Sequence, residues 1–250
     1  GGGGGGGGGA TIPAQKFDIQ EKVLQVSAGQ GETARTSFTI KNIFSKSIDV
    51  HVDLSGLEEF LLLPLGESTT DFTLQRGEEK TIPFFFSISE DQEPTLYARS
   101  ILVSSGSQTK KLPVLIEVES GAPLFDVDVE IPGEFSEMNP GEDLLALITL
   151  FNLGPDGERF DVDVTYVLED LAGMILAEET ETVAVETQTT FVKRFSIPTD
   201  IQPGTYVFYV KVQSGESIGS SKALFTVPES TPVKLGAAEL LLSQKELFYL

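Results

Sequence analysis

The chain has no cysteine, no tryptophan and a single histidine, His51, in 250 residues. Without cysteine, disulfides, thiolate zinc sites and cysteine nucleophiles are excluded. One histidine leaves little room for histidine-based acid–base chemistry or a histidine metal centre. Basic residues are scarce too: 17 Lys and Arg stand against 38 Asp and Glu, a formal net charge of −21. Phosphate binding needs a basic patch, so no nucleic-acid partner is expected. An anionic membrane surface would repel such a chain. No signal peptide is read, and no apolar run reaches the ~18–20 residues that span a bilayer. The only membrane link expected is an anchor absent from this chain. Residues 1–9 are all glycine. No domain start requires such a run, and it is set aside from the fold as a placeholder or artefact.

What is present is a repeat. Phe86-Ser87-Ile88, Asp91, Pro94, Tyr97, Ser105-Gly106 and Val118 return as Phe195-Ser196-Ile197, Asp200, Pro203, Tyr206, Ser214-Gly215 and Val227, each 109 residues later. Gly31-Glu32 and Asn42 return as Gly141-Glu142 and Asn152 at an offset of 110. A period of that size is one sandwich module. The expected division is 10–120 and 121–228, followed by a tail over 229–250. The joint Glu119-Ser120-Gly121-Ala122-Pro123 is short. It predicts two modules end to end with limited bending.

Each module reads as strands. Ile48, Val50, Val52 and Leu54 alternate with Asp49, His51 and Asp53. Phe125, Val127, Val129 and Ile131 alternate with Asp126, Asp128 and Glu130, and Phe160, Val162, Val164 and Tyr166 do the same with Asp161, Asp163 and Thr165. A period of two marks strands with one buried face. Turns such as Asn139-Pro140-Gly141 and Gln202-Pro203-Gly204 punctuate them. The fold class is therefore all-β: two tandem immunoglobulin-like β-sandwiches. Gly204-Thr205-Tyr206 has the form of the tyrosine corner before the sixth strand of such domains. In the first module Tyr97 holds the equivalent place, but Thr95 replaces the glycine and Arg99 the apolar residue, so the corner is expected to be weaker there.

The series Pro140-Gly141-Glu142, Ile148 to Asn152, Asp161 to Val164, Ile197-Pro198 and Pro203 to Val207 resembles the CARDB-like and NPCBM-associated immunoglobulin-like modules of archaeal and bacterial cell-surface proteins. The likeness covers Leu124 to Val227 well and the first module more loosely. It implies an exported stalk, adhesion or assembly module at the cell surface, attached to a longer anchored chain. Its motifs are turn chemistry, which specifies fold better than function.

Several constellations could carry chemistry. Gly215-Glu216-Ser217-Ile218-Gly219 satisfies the G-x-S-x-G pattern of serine hydrolases. That pattern works on a strand-to-helix elbow beside a histidine and an acid. The repeat puts it on a strand hairpin, with His51 in the other module. The pairs Asp126/Asp128 and Asp161/Asp163 each share one strand face; paired carboxylates serve acid–base catalysis only when burial raises one pKa, and these read as solvated. Asn152, Asp156, Glu158 and Asp161 gather hard oxygen donors near one turn, without EF-hand spacing. The sequon N-x-S/T is absent.

No catalytic, cofactor-binding or metal residue is assigned, and no cofactor is expected. The expected role is a non-enzymatic extracellular module pair, acting as stalk, scaffold or adhesin through protein partners or self-association. A surface filament or layer built by strand exchange is one alternative, with the apolar tail Leu240–Leu242 and Leu247–Leu250 as a donor segment. A carbohydrate-binding accessory domain is another, weakened by the lack of Trp for stacking on sugars.

Overall fold

A computed structural model describes residues 15–61, 69–121, 124–154, 159–215 and 217–229. The first module contains β1 (Phe17–Ile19), β2 (Leu24–Gly29), β3 (Thr33–Asn42), β4 (Ile48–Asp53), β5 (Thr69–Leu74), β6 (Glu79–Ser87), β7 (Leu96–Ser105) and β8 (Gln108–Glu119). The second contains β9 (Phe125–Glu130), β10 (Asp143–Asn152), β11 (Phe160–Asp170), β12 (Ile175–Val185), β13 (Gln188–Ser196), β14 (Gly204–Ser214) and β15 (Ser217–Val227). Short 3-10 turns at Ser55–Leu57 and Gly133–Phe135 are the only helical elements among the described residues, and no helix there is long and apolar enough to cross a membrane.

Both modules are immunoglobulin-like sandwiches. In the first, sheet β1-β3-β6 faces sheet β2-β8-β7-β4-β5. In the second, β9-β10-β13 faces β12-β11-β14-β15. The alternation seen in the sequence is what closes them. Val50, Val52, Phe38 and Phe86 point into one core, and Val162, Val164, Tyr166 and Phe208 into the other, while the intervening Asp126, Asp128, Asp161 and Asp163 stay exposed. Aromatic pairs add shape: Phe38 stacks on Phe84 at 5.3 Å, and Phe195 meets Phe208 edge-on at 5.3 Å.

The repeat is visible in the turns. Gly31 (φ 77°) and Gly141 (φ 82°) hold the same left-handed position before the second long strand, which costs an L side chain strain that glycine escapes. The glutamate that follows caps the turn in each copy: Glu32 accepts from Gly29 N–H at 3.0 Å, and Glu142 from Asn139 N–H at 2.9 Å. One strand breaks the symmetry. β2 runs parallel to β8, but among the described residues the second module keeps a single parallel bridge, Glu137 with Thr226.

The tyrosine corner is present in both modules, with the longer bond in the first, where it was expected to be weaker. Tyr206 donates its hydroxyl to the Gln202 carbonyl at 2.6 Å, and Tyr97 donates to the Glu93 carbonyl at 3.0 Å. Thr95 and Arg99 do not prevent the bond. Arg99 lies over the Tyr97 and Phe60 rings and pairs with Glu59 at 3.1 Å, so its apolar stem and planar head do the work of an apolar residue.

The end-to-end arrangement is also corrected: the modules dock face against face. Leu115 of β8 packs with Val167 of β11 and with Val207 and Tyr209 of β14 as a third apolar cluster, with Leu96, Ala98 and Leu224 against it. These side chains point outward from their own sandwiches. A short joint holds two ends together but does not prevent a swing, and burial of this shared face decides the outcome. Gly173 shows how close the fit is, since a Cβ there would lie 3.0 Å from the Ala98 methyl group. On the first-module side Gln30 binds the joint, accepting from Gly121 N–H at 3.0 Å. On the other side the Ser217 hydroxyl accepts from Leu124 N–H at 2.8 Å.

Candidate functional site

Ser217 opens β15 in the β14–β15 hairpin, one residue past the described edge of its turn, where Gly215 takes φ 60°. It is buried, and its oxygen holds Leu124 as described. Gly219, the last residue of the motif, sits where a Cβ would meet the Phe125 carbonyl at 2.7 Å. The motif's small residues thus let β9 cross closely over the hairpin. His51 lies in the other module, on the outward face of β4, with Nδ1 2.7 Å from Asp71 Oδ1. Nucleophile and base are not brought together.

The carboxylate pairs also have local partners. Asp126 accepts from Val127 N–H at 2.9 Å, Asp163 from the Thr182 hydroxyl at 3.0 Å, and Asp161 stands 3.7 Å from Arg159. Of the candidate calcium ligands, Asp156 and Glu158 lie outside the described residues. Asn152 has a structural task, donating to the Glu186 carbonyl at 2.7 Å and accepting from Gly154 N–H at 2.8 Å. Its repeat partner Asn42 is fully buried. It donates to the carbonyls of Lys46, Leu74 and Gln75 at 2.9, 3.0 and 3.0 Å and accepts from Phe44 N–H at 2.8 Å. The repeated asparagine therefore pins the end of its strand to the neighbouring turns. Among the described residues, no group of three or more His, Cys, Asp or Glu is placed to hold a metal ion. Most of the tail (230–250) lies outside the described residues.

The polar groups with unusual surroundings are at the module interface, a place that the sequence reading missed. There Glu117 of β8 pairs with Lys222 of β15, their side chains 7% and 8% exposed. Ser220 donates to the same carboxylate at 3.0 Å. Ion pair and hydroxyl satisfy one another where water is excluded. Beside them, burial pushes the Tyr209 hydroxyl up to about 12. The Ser220 and Thr95 hydroxyls lie near enough to favour its anion, yet none makes a hydrogen bond of good geometry with it.

Across β14, Glu169 of β11 is buried and its Oε1 has no hydrogen-bond partner. Burial first, and the neighbouring Asp170 second, push its carboxyl up to about 7. A cleft of about 400 Å³ opens there, lined by Thr95 and Leu96 from the first module and by Val167, Glu169, Glu178 and Tyr209 from the second. A signal for the interface existed in the sequence. Leu112 to Val118 and Tyr206 to Val212 each run apolar on both faces, which a strand with one solvated face does not do.

No protein-family model and no curated protein sequence matches the chain. Among solved structures it is similar to a protein of unknown function from Porphyromonas gingivalis W83, at 12% identity and a TM-score of 0.43, over 85% of this chain and 100% of that one. It is also similar to an ASH / PapD-like domain of human CEP192, at 10% identity and a TM-score of 0.34, over 46% of this chain and 94% of that one.

Proposed function

We propose that the chain is a non-enzymatic structural or interaction module pair, a stalk or scaffold of a prokaryotic, in particular archaeal, cell-surface protein. The observation that carries this reading is the docking of the two sandwiches through Leu115, Val207, Tyr209 and the Glu117–Lys222 pair. A spacer must hold its two ends at a fixed separation, and this contact turns two modules into one body. The residues that could have carried serine chemistry are kept apart: Ser217 is buried and holds Leu124, and His51 lies in the other module with Asp71. The acidic surface suits an exposed protein kept soluble by its charge. Its partners on this reading are proteins, with nucleic acid disfavoured by the same charge.

Self-association into a filament or layer is the second reading, and one patch favours it. Leu147 and Val192 are paired neighbours on the outward face of β10 and β13, and 36% and 62% exposed. Light scattering on the eluted protein separates the two readings. A spacer gives a monomer mass at every concentration; a mass that climbs with concentration, and that Val192→Ser abolishes, favours the filament. Hydrolysis of ester or peptide substrates, lost in Ser217→Ala with the fold intact, would sink the non-enzymatic reading.

A further inference from the structure

Glu169 is out of place in a passive interface. Its residue is 7% exposed, its Oε1 is sealed from solvent, and no protein group bonds it. A buried acceptor left without a donor costs on the order of 1–3 kcal/mol, more when charged. Glu117, on the same interface, has both Lys222 and Ser220. The fold therefore supplies donors for one buried carboxylate and withholds them from the other, and the second lines a cleft.

The chemistry of that cleft narrows what could occupy it. Glu169 and Glu178 are the carboxylates of the lining, and Tyr209 adds its ring, its hydroxyl being buried. Lys211 is the one cation among the lining residues. Leu96, Val167 and Ile175 form apolar wall. Anions are opposed by two carboxylates to one ammonium. A bare metal ion would gain little from aliphatic walls and would find too few oxygens. An alkylammonium ion has three N–H donors, no acceptor and an apolar body, which complements both halves of the lining.

We propose that the inter-module cleft binds a small organic ammonium ion, its nitrogen donating to Glu178 and to a Glu169 carboxylate that turns its sealed Oε1 toward the cleft, and its carbons lying against Leu96, Val167 and Ile175. Because Leu96 belongs to the first module and Glu169 to the second, the occupant also bridges the two sandwiches. Ionised Glu169 is the binding form. Around it stand Asp170, Glu178, Tyr209 and Lys211, so occupancy should rise with pH through neutrality.

The test is calorimetric titration of the full chain at pH 8 with n-butylammonium chloride, with sodium butyrate and 1-butanol as matched probes. Saturable binding of butylammonium alone is expected. Glu169→Gln should weaken it at least tenfold, and Glu130→Gln on the far sheet should leave it unchanged. Methyl resonances of Val167 and Ile175 in the unaltered protein should shift with butylammonium, a readout that does not depend on any variant folding. No saturable heat and no shift would mean that ordered water alone satisfies Glu169, and would overturn the proposal. Equal binding of butanol, or binding indifferent to Glu169→Gln, would overturn it too.

Discussion

The module interface buries two glutamates, on either side of Tyr209, in opposite ways. On the β15 side Glu117 meets Lys222 and Ser220 in a dry contact. Across β14, the Oε1 of Glu169 has no bonded partner, and the residue lines a cleft. The first glutamate locks the docked arrangement. The second works against it whenever the carboxyl is ionised, because a charge in a poorly solvated place must raise its pKa or pull in water. One interface thus combines a fixed side with a side whose stability depends on conditions.

The largest way to break this contrast is Lys222→Ala. It leaves the Glu117 carboxylate buried without a counter-charge, a change that costs about 3–5 kcal/mol at buried pairs. Loss of the docked state in small-angle scattering and a lower Tm should follow. The double variant Glu117→Met/Lys222→Met should recover most of that loss, since two apolar side chains of similar size suit the dry contact.

Glu169→Gln should act in the opposite direction. The folded-state pKa is raised from 4.5 to about 7, so the docked protein holds a proton that the open chain releases. The stability this contributes is complete below about 4.5 and is lost as pH rises through about 7. The ionised carboxyl can turn or draw in water, which reduces the size of the effect, and a gain of about 1 kcal/mol at pH 8 is expected for the amide. Thermal melts from pH 4 to 8 check it: the unaltered protein should lose stability across that range more steeply than Glu169→Gln. Equal slopes would count against the unpaired glutamate.

A smaller contrast concerns the two corners. Tyr206→Phe and Tyr97→Phe each remove a hydroxyl that bonds a carbonyl four residues back, at a cost of about 1 kcal/mol. Tyr97 also accepts from Gln92 at 2.9 Å, so its loss should be at least as large as that of Tyr206. Urea midpoints of the two variants test whether the first corner is as real as the second. Smallest of all should be Leu147→Ser on the far outward face, within about 0.5 kcal/mol.

Much of the fold was legible because sandwich cores impose a period of two. Val50 and Val52, or Val162 and Val164, could be assigned to the inside from alternation alone, and the 109-residue register located the second module from the first. The docking was not read, because alternation sorts the faces of one strand and says nothing about what lies over the outer face. The signal lay in Leu115 and in Val207 with Tyr209, apolar residues on strand faces that should have been polar. Asn42 and Asn152 were recognised as a repeated pair, but their role as turn pins depends on carbonyls some 30 residues away in the chain. Glu117 and Glu169 looked like any other surface acids, since only the third dimension separates a paired carboxylate from an unpaired one.

The most direct test of the account measures the docking itself. The chain lacks cysteine, so Ser37→Cys and Asp128→Cys, both exposed positions on the outer sheets of their modules, can carry one spin label each without background. Double electron–electron resonance should return a single narrow distance distribution between the labels, which broadens when Lys222→Ala is added. A broad distribution in the parent protein, unchanged by Lys222→Ala, would show two modules swinging freely on their joint and would contradict the account.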